Sequence, residues 1–143
     1  MNYEDYKALL LGRQESYHQL VALAEDVTFS LTDPEARSEL EPLQIEVKPL
    51  ASAQGFTLHY LDRFYDFLFE PLFESPRHCT LTTTIRHAKD GVPTVFNKVF
   101  LDVRGNVFSD LDSKEPAGYI ANSTGALAFV FEQLADATEI EVA

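Results

Sequence analysis

The sequence predicts an α+β domain: an antiparallel sheet, built from a three-stranded meander plus one or two further strands, covered by amphipathic helices that include a long N-terminal and a C-terminal one. Three observations point there. Apolar residues recur every three or four positions through the first 27 residues, every second position between about 77 and 108, and at helical spacing again after 122. With 143 residues, no internal repeat and no Gly/Ser-rich linker, the chain reads as one domain spanning 1–143.

The first helix is marked by Tyr3, Tyr6, Leu10, Arg13, Tyr17, Leu20, Ala24 and Val27, at alternating spacings of three and four. Asn2 can cap it, and Glu4 and Asp5 stand in the first turn, where the helix dipole favours negative charge. Arg13 interrupts the stripe. Such a charge either fixes register in a helix–helix seam or snorkels from the edge of a core-facing stripe. "TDPE" at 32–35 ends this helix and starts a short second one, with Asp33 as cap and Pro34 in the first helical position. "LQIEVKPL" then alternates Leu43, Ile45 and Val47 with polar residues, as a half-exposed strand does.

The stretch "FTLHYLDRFYDFLFEPLF", residues 56–73, holds seven of the 17 aromatic side chains. As one continuous strand it would place Phe56, Leu58, Tyr60, Asp62, Phe64, Asp66, Leu68 and Glu70 on a single face, mixing acids with aromatics. As a helix it sorts cleanly: Leu61, Phe64, Tyr65, Leu68 and Leu72 form a central stripe, Tyr60, Phe67 and Phe69 flank it, and the charged residues gather opposite. A helix is therefore expected over 58–70, with Thr57 as cap and Pro71 as stop. From residue 77 the period becomes two. Strands around Cys79–Ile85, Val95–Val103 and Val107 are joined by turns at "KDG" and "DVRGN", the latter placing Gly105 where a left-handed residue is often required. Asn122 or Ser123 then caps a last helix with Leu127, Val130, Phe131 and Leu134 on one side. The alternating tail Thr138, Ile140 and Val142 suggests an edge strand.

Composition narrows the function. One cysteine permits no internal disulfide, no leader-like start is seen, and no apolar run approaches the roughly 20 residues of a membrane span, so a cytoplasmic location is expected. The formal charge of −12 disfavours nucleic acid and anionic membrane and favours a partner with a basic surface. Residues 77–109 stand apart with five bases against two acids, which reads as charge balance between neighbouring faces.

No nucleophile elbow, P-loop, dinucleotide-binding glycine pattern, zinc-protease helix or paired C-x-x-C occurs, so no catalytic residue, metal or cofactor is assigned. His78 points away from Cys79, and His87 lies about 26 Å along an extended strand from that cysteine. Asp110, Asp112 and Glu115 miss the calcium-loop pattern, because Glu115 stands where the glycine is needed. Asp62 and Asp66 read as solvated carboxylates.

The apolar arc of the expected 58–70 helix spans about 200°, where one core-facing stripe needs little more than 100°. Tyr60, Phe67 and Phe69, with Asp62, Asp66 and Glu70 around them, form the expected partner-binding set: aromatic anchors for affinity, carboxylates for steering. The function expected on this basis is non-enzymatic binding of another protein, as an inhibitor, immunity protein or chaperone does. Two alternatives cover the same surface. One is a small-molecule site or enzyme pocket between the sheet and the 58–70 helix, with His59, Tyr60 or Tyr65 as polar contact; the other is a homodimer whose symmetry mate covers the ridge.

Overall fold

Asn2 opens the first helix through a capping box: its side chain accepts from the Asp5 backbone N–H (3.0 Å), and the Asp5 carboxylate accepts from the Asn2 N–H (3.1 Å). The computed structural model describes residues 1–51, 53–73, 75, 78–86 and 91–142, those after 138 by backbone alone. Helix α1 runs Tyr3–Thr32 and α2 Pro34–Leu40. Between them Asp33 caps α2, accepting from the Ala36 N–H at 2.7 Å, with Pro34 in the first turn as expected.

Seven strands follow in an unbroken antiparallel meander, each bonded to the next: β1 Glu46–Pro49, β2 Gly55–Tyr60, β3 Arg63–Pro71, β4 His78–Arg86, β5 Thr94–Asp102, β6 Asn106–Phe108 and β7 Gly118–Tyr119. Helix α3, Ser123–Val142, closes the chain, with Asn122 accepting from the Gly125 N–H at 2.7 Å. The α+β class with long terminal helices and an antiparallel sheet is thus the observed one, with more strands than the meander alone supplied.

The stretch over 58–70 is not a helix. Leu61 (φ 51°) and Asp62 (φ 62°) form a two-residue turn with both residues left-handed, and the chain reverses so that Tyr60 pairs with Arg63, Leu58 with Tyr65 and Phe56 with Phe67. A two-residue turn switches which positions face inward. Before it the even residues Phe56 and Leu58 are buried, and after it the odd residues Tyr65, Phe67 and Phe69 are. A single strand drawn through the turn mixes the two faces, and that is why helical spacing sorted the residues better. The tail is also corrected: residues 138–142 continue α3 rather than adding a strand.

Both ends of the sheet rely on glycine. A Cβ on Gly55 would run into the Phe67 carbonyl, and Gly105 (φ 93°) makes the β5–β6 turn with Ala121 packed against it. The helices lie on one face of the sheet. There Phe67 stacks on Phe56 at 4.8 Å and meets Phe129 of α3 edge-on at 6.2 Å, while Leu23, Ala24, Val27 and Leu31 bring the second half of α1 into the same core. The other face carries polar pairs. Arg86 forks onto Asp66 (Nε to Oδ2 2.6 Å, Nη2 to Oδ1 2.9 Å), and the Thr57 hydroxyl donates to the same carboxylate at 2.7 Å.

Candidate functional site

The hairpin redistributes the residues expected to bind a partner. Phe67 (0% exposed) and Phe69 (3%) belong to the core and present nothing to a partner. Tyr60 is half-buried on the inner side of β2, Asp62 sits exposed in the turn, and Glu70 is exposed on the outer side of β3. Asp66 is held by Arg86 and Thr57. The six residues therefore do not form one patch, because strand alternation sends Asp66 and Glu70 to the face opposite Phe67 and Phe69. The pocket alternative, between the sheet and a helix at 58–70, loses its roof as well, since 58–70 is itself part of the sheet.

Surplus apolar surface lies elsewhere, on α1. Thirty helical residues span about 45 Å, whereas the nine-residue strands of this sheet span about 30 Å. The helix overshoots its support. Every residue from 1 to 15 is exposed, and burial along α1 begins only at Leu20. The stripe legible in the sequence is thus divided: Leu20, Ala24 and Val27 enter the core, while Tyr3 (74% exposed), Tyr6 (55%), Leu10 (62%) and Tyr17 (46%) stand in solvent.

Where α1 leaves the body, it overhangs a groove of about 470 Å³. Leu10, Arg13, Tyr17 and Leu20 form one wall, and Phe73, Cys79 and Val103, at the end of the sheet, form the other. Phe73 and Val103 are exposed there as well, so groove and stripe make one continuous apolar surface.

No family model, curated protein or solved structure matches this chain.

The charge on this surface differs from that of the whole chain. At about 100° per residue, Lys7, Arg13 and Gln14 fall within about 70° of the centre of the Tyr3–Tyr6–Leu10–Tyr17 stripe, whereas Glu4, Asp5 and Glu15 lie about 130° or more away. An apolar strip flanked by cations alone projects from a molecule of net charge −12.

Asp102 and His78 at the groove have structural partners. Burial would raise the Asp102 carboxyl, but hydrogen bonds from the Asn106 side chain and from the backbone N–H groups of Asn106, Arg104 and Gly105 hold it below the ordinary value, so it is ionised. His78 shares a 2.7 Å hydrogen bond between its Nδ1 and the Ser75 hydroxyl. Cys79 faces inward, opposite to His78, and burial, with the Asp102 charge behind it, pushes its thiol up to about 12; it is not a nucleophile at neutral pH. Among the described residues no three His, Cys, Asp or Glu side chains converge as a metal site would need, and no helix is long and apolar enough to cross a membrane. His87 and most of the "KDG" turn lie outside the described residues.

Sequence reasoning placed the stripe in a groove on the sheet or in a helix–helix seam without dividing it, because it took all eight positions as one face of one use. The signal was present in the length of the pattern, which exceeds what the sheet can support.

Proposed function

We propose that the chain is a non-enzymatic protein-binding domain that docks a partner polypeptide on the projecting half of α1 and the groove beneath it. The observation that carries this reading is the exposed run of Tyr3, Tyr6, Leu10 and Tyr17 leading into a groove walled by Phe73 and Val103. Soluble proteins seldom leave so much contiguous apolar surface uncovered, and tyrosines beside an arginine have the composition of interface hot spots. An isolated helix half of some 15 residues is itself marginal in water, so a partner would also stabilise it. Inhibitors, immunity proteins and chaperones all act by occupying a partner in this way. The acidic remainder of the molecule keeps it in solution and repels nucleic acid.

The test is a photo-crosslinking amino acid placed at Leu10 in cells making the full chain, with one at the exposed Glu132 of α3 as control. Attachment to a polypeptide from position 10 and not from 132 supports docking on α1. Absence of any adduct from position 10 overturns it. The groove's 470 Å³ also favours a second reading, a small apolar ligand held between Leu20, Phe73 and Val103; native mass spectrometry of the purified protein would show the added mass.

A further inference from the structure

We propose that β5 carries a second binding site, an open sheet edge over residues 94–99 that takes an extended acidic segment of another polypeptide as an added strand. The site is separate from α1 and its groove, which border β5 at Asp102, its opposite end.

The sheet is stepped at this strand. β5 is nine residues long, but β6 has three and pairs with it only at Phe100 and Leu101. Past Phe108 the chain folds into a local turn, in which the Ser113 N–H donates to the Asp110 carbonyl and the Asp112 N–H to the Asp110 carboxylate. Residues 94–99 therefore have β4 on one side and no strand on the other. Among the described residues no backbone hydrogen bond crosses that side. Because alternate residues of an antiparallel sheet turn their N–H and C=O to opposite neighbours, about three of these residues direct both groups outward, over some 20 Å. Only another extended backbone matches such a row in full.

The outermost strands are guarded against such pairing, and this edge is not guarded in the same way. β1 has four residues, carries Glu46 and Lys48 and ends in Pro49, and β7 has two residues. The β5 edge instead bears the apolar Val95, 64% exposed, and one charge, Lys98. A bulge opposite Thr83 and Thr84 interrupts the row once, at Phe96. Asn97, Lys98 and Val99 keep regular register with Thr83, Thr82 and Leu81, so an incoming strand can run on in line from where β6 stops.

The side chains along the edge state the chemistry of the segment, since residues directly opposite across two strands share a face. Lys98 is exposed on the outer face, 6.0 Å above the centre of the Phe100 ring, and has no ion pair among the described residues. The residue opposite it is an acid. Val99 faces inward at the rim of the core, 9% exposed, so the next residue of the incoming strand is apolar, and a second apolar residue covers Val95. The surrounding charge agrees: residues 77–109 carry five bases and two acids in a chain of net charge −12, which makes this the part of the molecule that an acidic segment can approach with least repulsion.

The test uses the purified full chain and a fluorescein-labelled decapeptide of valine and threonine with one central glutamate. Amide hydrogen exchange followed by nuclear magnetic resonance should show the outward N–H groups of 94–99 exchanging as fast as those of the 109–116 loop in the free chain, and protected several-fold when the peptide is added. The amides of β1 should not change. By fluorescence anisotropy the glutamate peptide should bind more tightly than its lysine counterpart, and the same peptide N-methylated at every residue should not bind. Lys98→Glu should weaken the glutamate peptide about fivefold and strengthen the lysine peptide, an exchange of preference that a misfolded variant could not give. Outward amides already protected in the free monomer, no binding at peptide concentrations up to about 1 mM, or a preference unmoved by Lys98→Glu each overturn the inference. Protection of 94–99 that disappears on dilution of the chain alone assigns the edge to a second copy and overturns the acidic partner. None of these outcomes bears on docking at α1.

Discussion

Replacing Phe67 and Phe64 by alanine, one at a time, separates the hairpin from any helical arrangement of the same residues. Phe67 is fully buried, stacked on Phe56 at 4.8 Å and edge-on to Phe129 at 6.2 Å. Truncating it removes a core aromatic and leaves a cavity between the sheet and α3, a loss of about 3–5 kcal/mol. Phe64, three residues away, lies on the outer face, where it stacks on His59 at 4.7 Å and carries the Arg86 guanidinium at 5.1 Å from its ring centre. Those contacts are half-exposed and together are worth about 1 kcal/mol. The unfolding entropy of a chain this size, about 2.1 cal/mol/K per residue, comes to roughly 0.3 kcal/mol/K, so Phe67→Ala should lower the thermal midpoint by about 10–17 °C and Phe64→Ala by about 3 °C. Thermal and urea melts followed by circular dichroism measure both. In the helical arrangement Phe64 is central and Phe67 peripheral. A Phe64→Ala loss equal to or larger than that of Phe67→Ala would therefore refute the strand assignment and the face switch on which it depends.

Leu61 is a bulky residue at positive φ with its side chain 66% exposed, so Leu61→Gly should raise stability by about 1 kcal/mol, read as a higher urea midpoint; a helix would instead lose about that much. Cys79, buried and with its thiol pushed up to about 12, should react with Ellman's reagent at pH 8 about a thousandfold more slowly than an ordinary exposed thiol, and at the ordinary rate once the chain is unfolded in urea. Asp102 is held below the ordinary carboxyl value of 3.8, so its contribution is complete above that pH and is lost as pH falls through its lower folded value. The drop in urea midpoint from pH 6 to pH 2.5 should accordingly be smaller in Asp102→Asn than in the unmodified chain.

Local chemistry made much of the fold legible. Asn2, Asp33 and Asn122 each announce a helix start, because a short polar side chain before a periodic run has one favourable use, and each accepts the backbone N–H expected of a cap. Strands β4 to β6 were readable because period two dominates them and Gly105 supplies the turn, although a bulge opposite Thr83 and Thr84 breaks the alternation in β5, leaving Val95 exposed and turning Phe96 toward the core. The β2–β3 hairpin was not, since its turn is Leu61–Asp62 and lacks the Asn-Gly or Gly-X pair that signals such a reversal. The tail misled through a pattern too short to tell period two from a helix end. The docking surface was half legible: the stripe on α1 is written in the spacing from Tyr3 to Val27, but where it leaves the core depends on the size of the sheet beneath it. The aromatic excess expected around Phe67 and Phe69 proved to be core once the chain turned back on itself. The excess that remains belongs to Tyr3, Tyr6, Leu10 and Tyr17.

Tyr17 and Tyr119 are almost equally exposed in the isolated chain, 46% and 45%, which makes them a matched pair for hydroxyl-radical labelling in intact cells. If a polypeptide covers the projecting half of α1, Tyr17 should label several-fold more slowly than Tyr119 in cells, and the two rates should converge in the dilute, purified Leu10→Asp variant. Equal labelling of Tyr17 and Tyr119 in cells would contradict the docking surface itself.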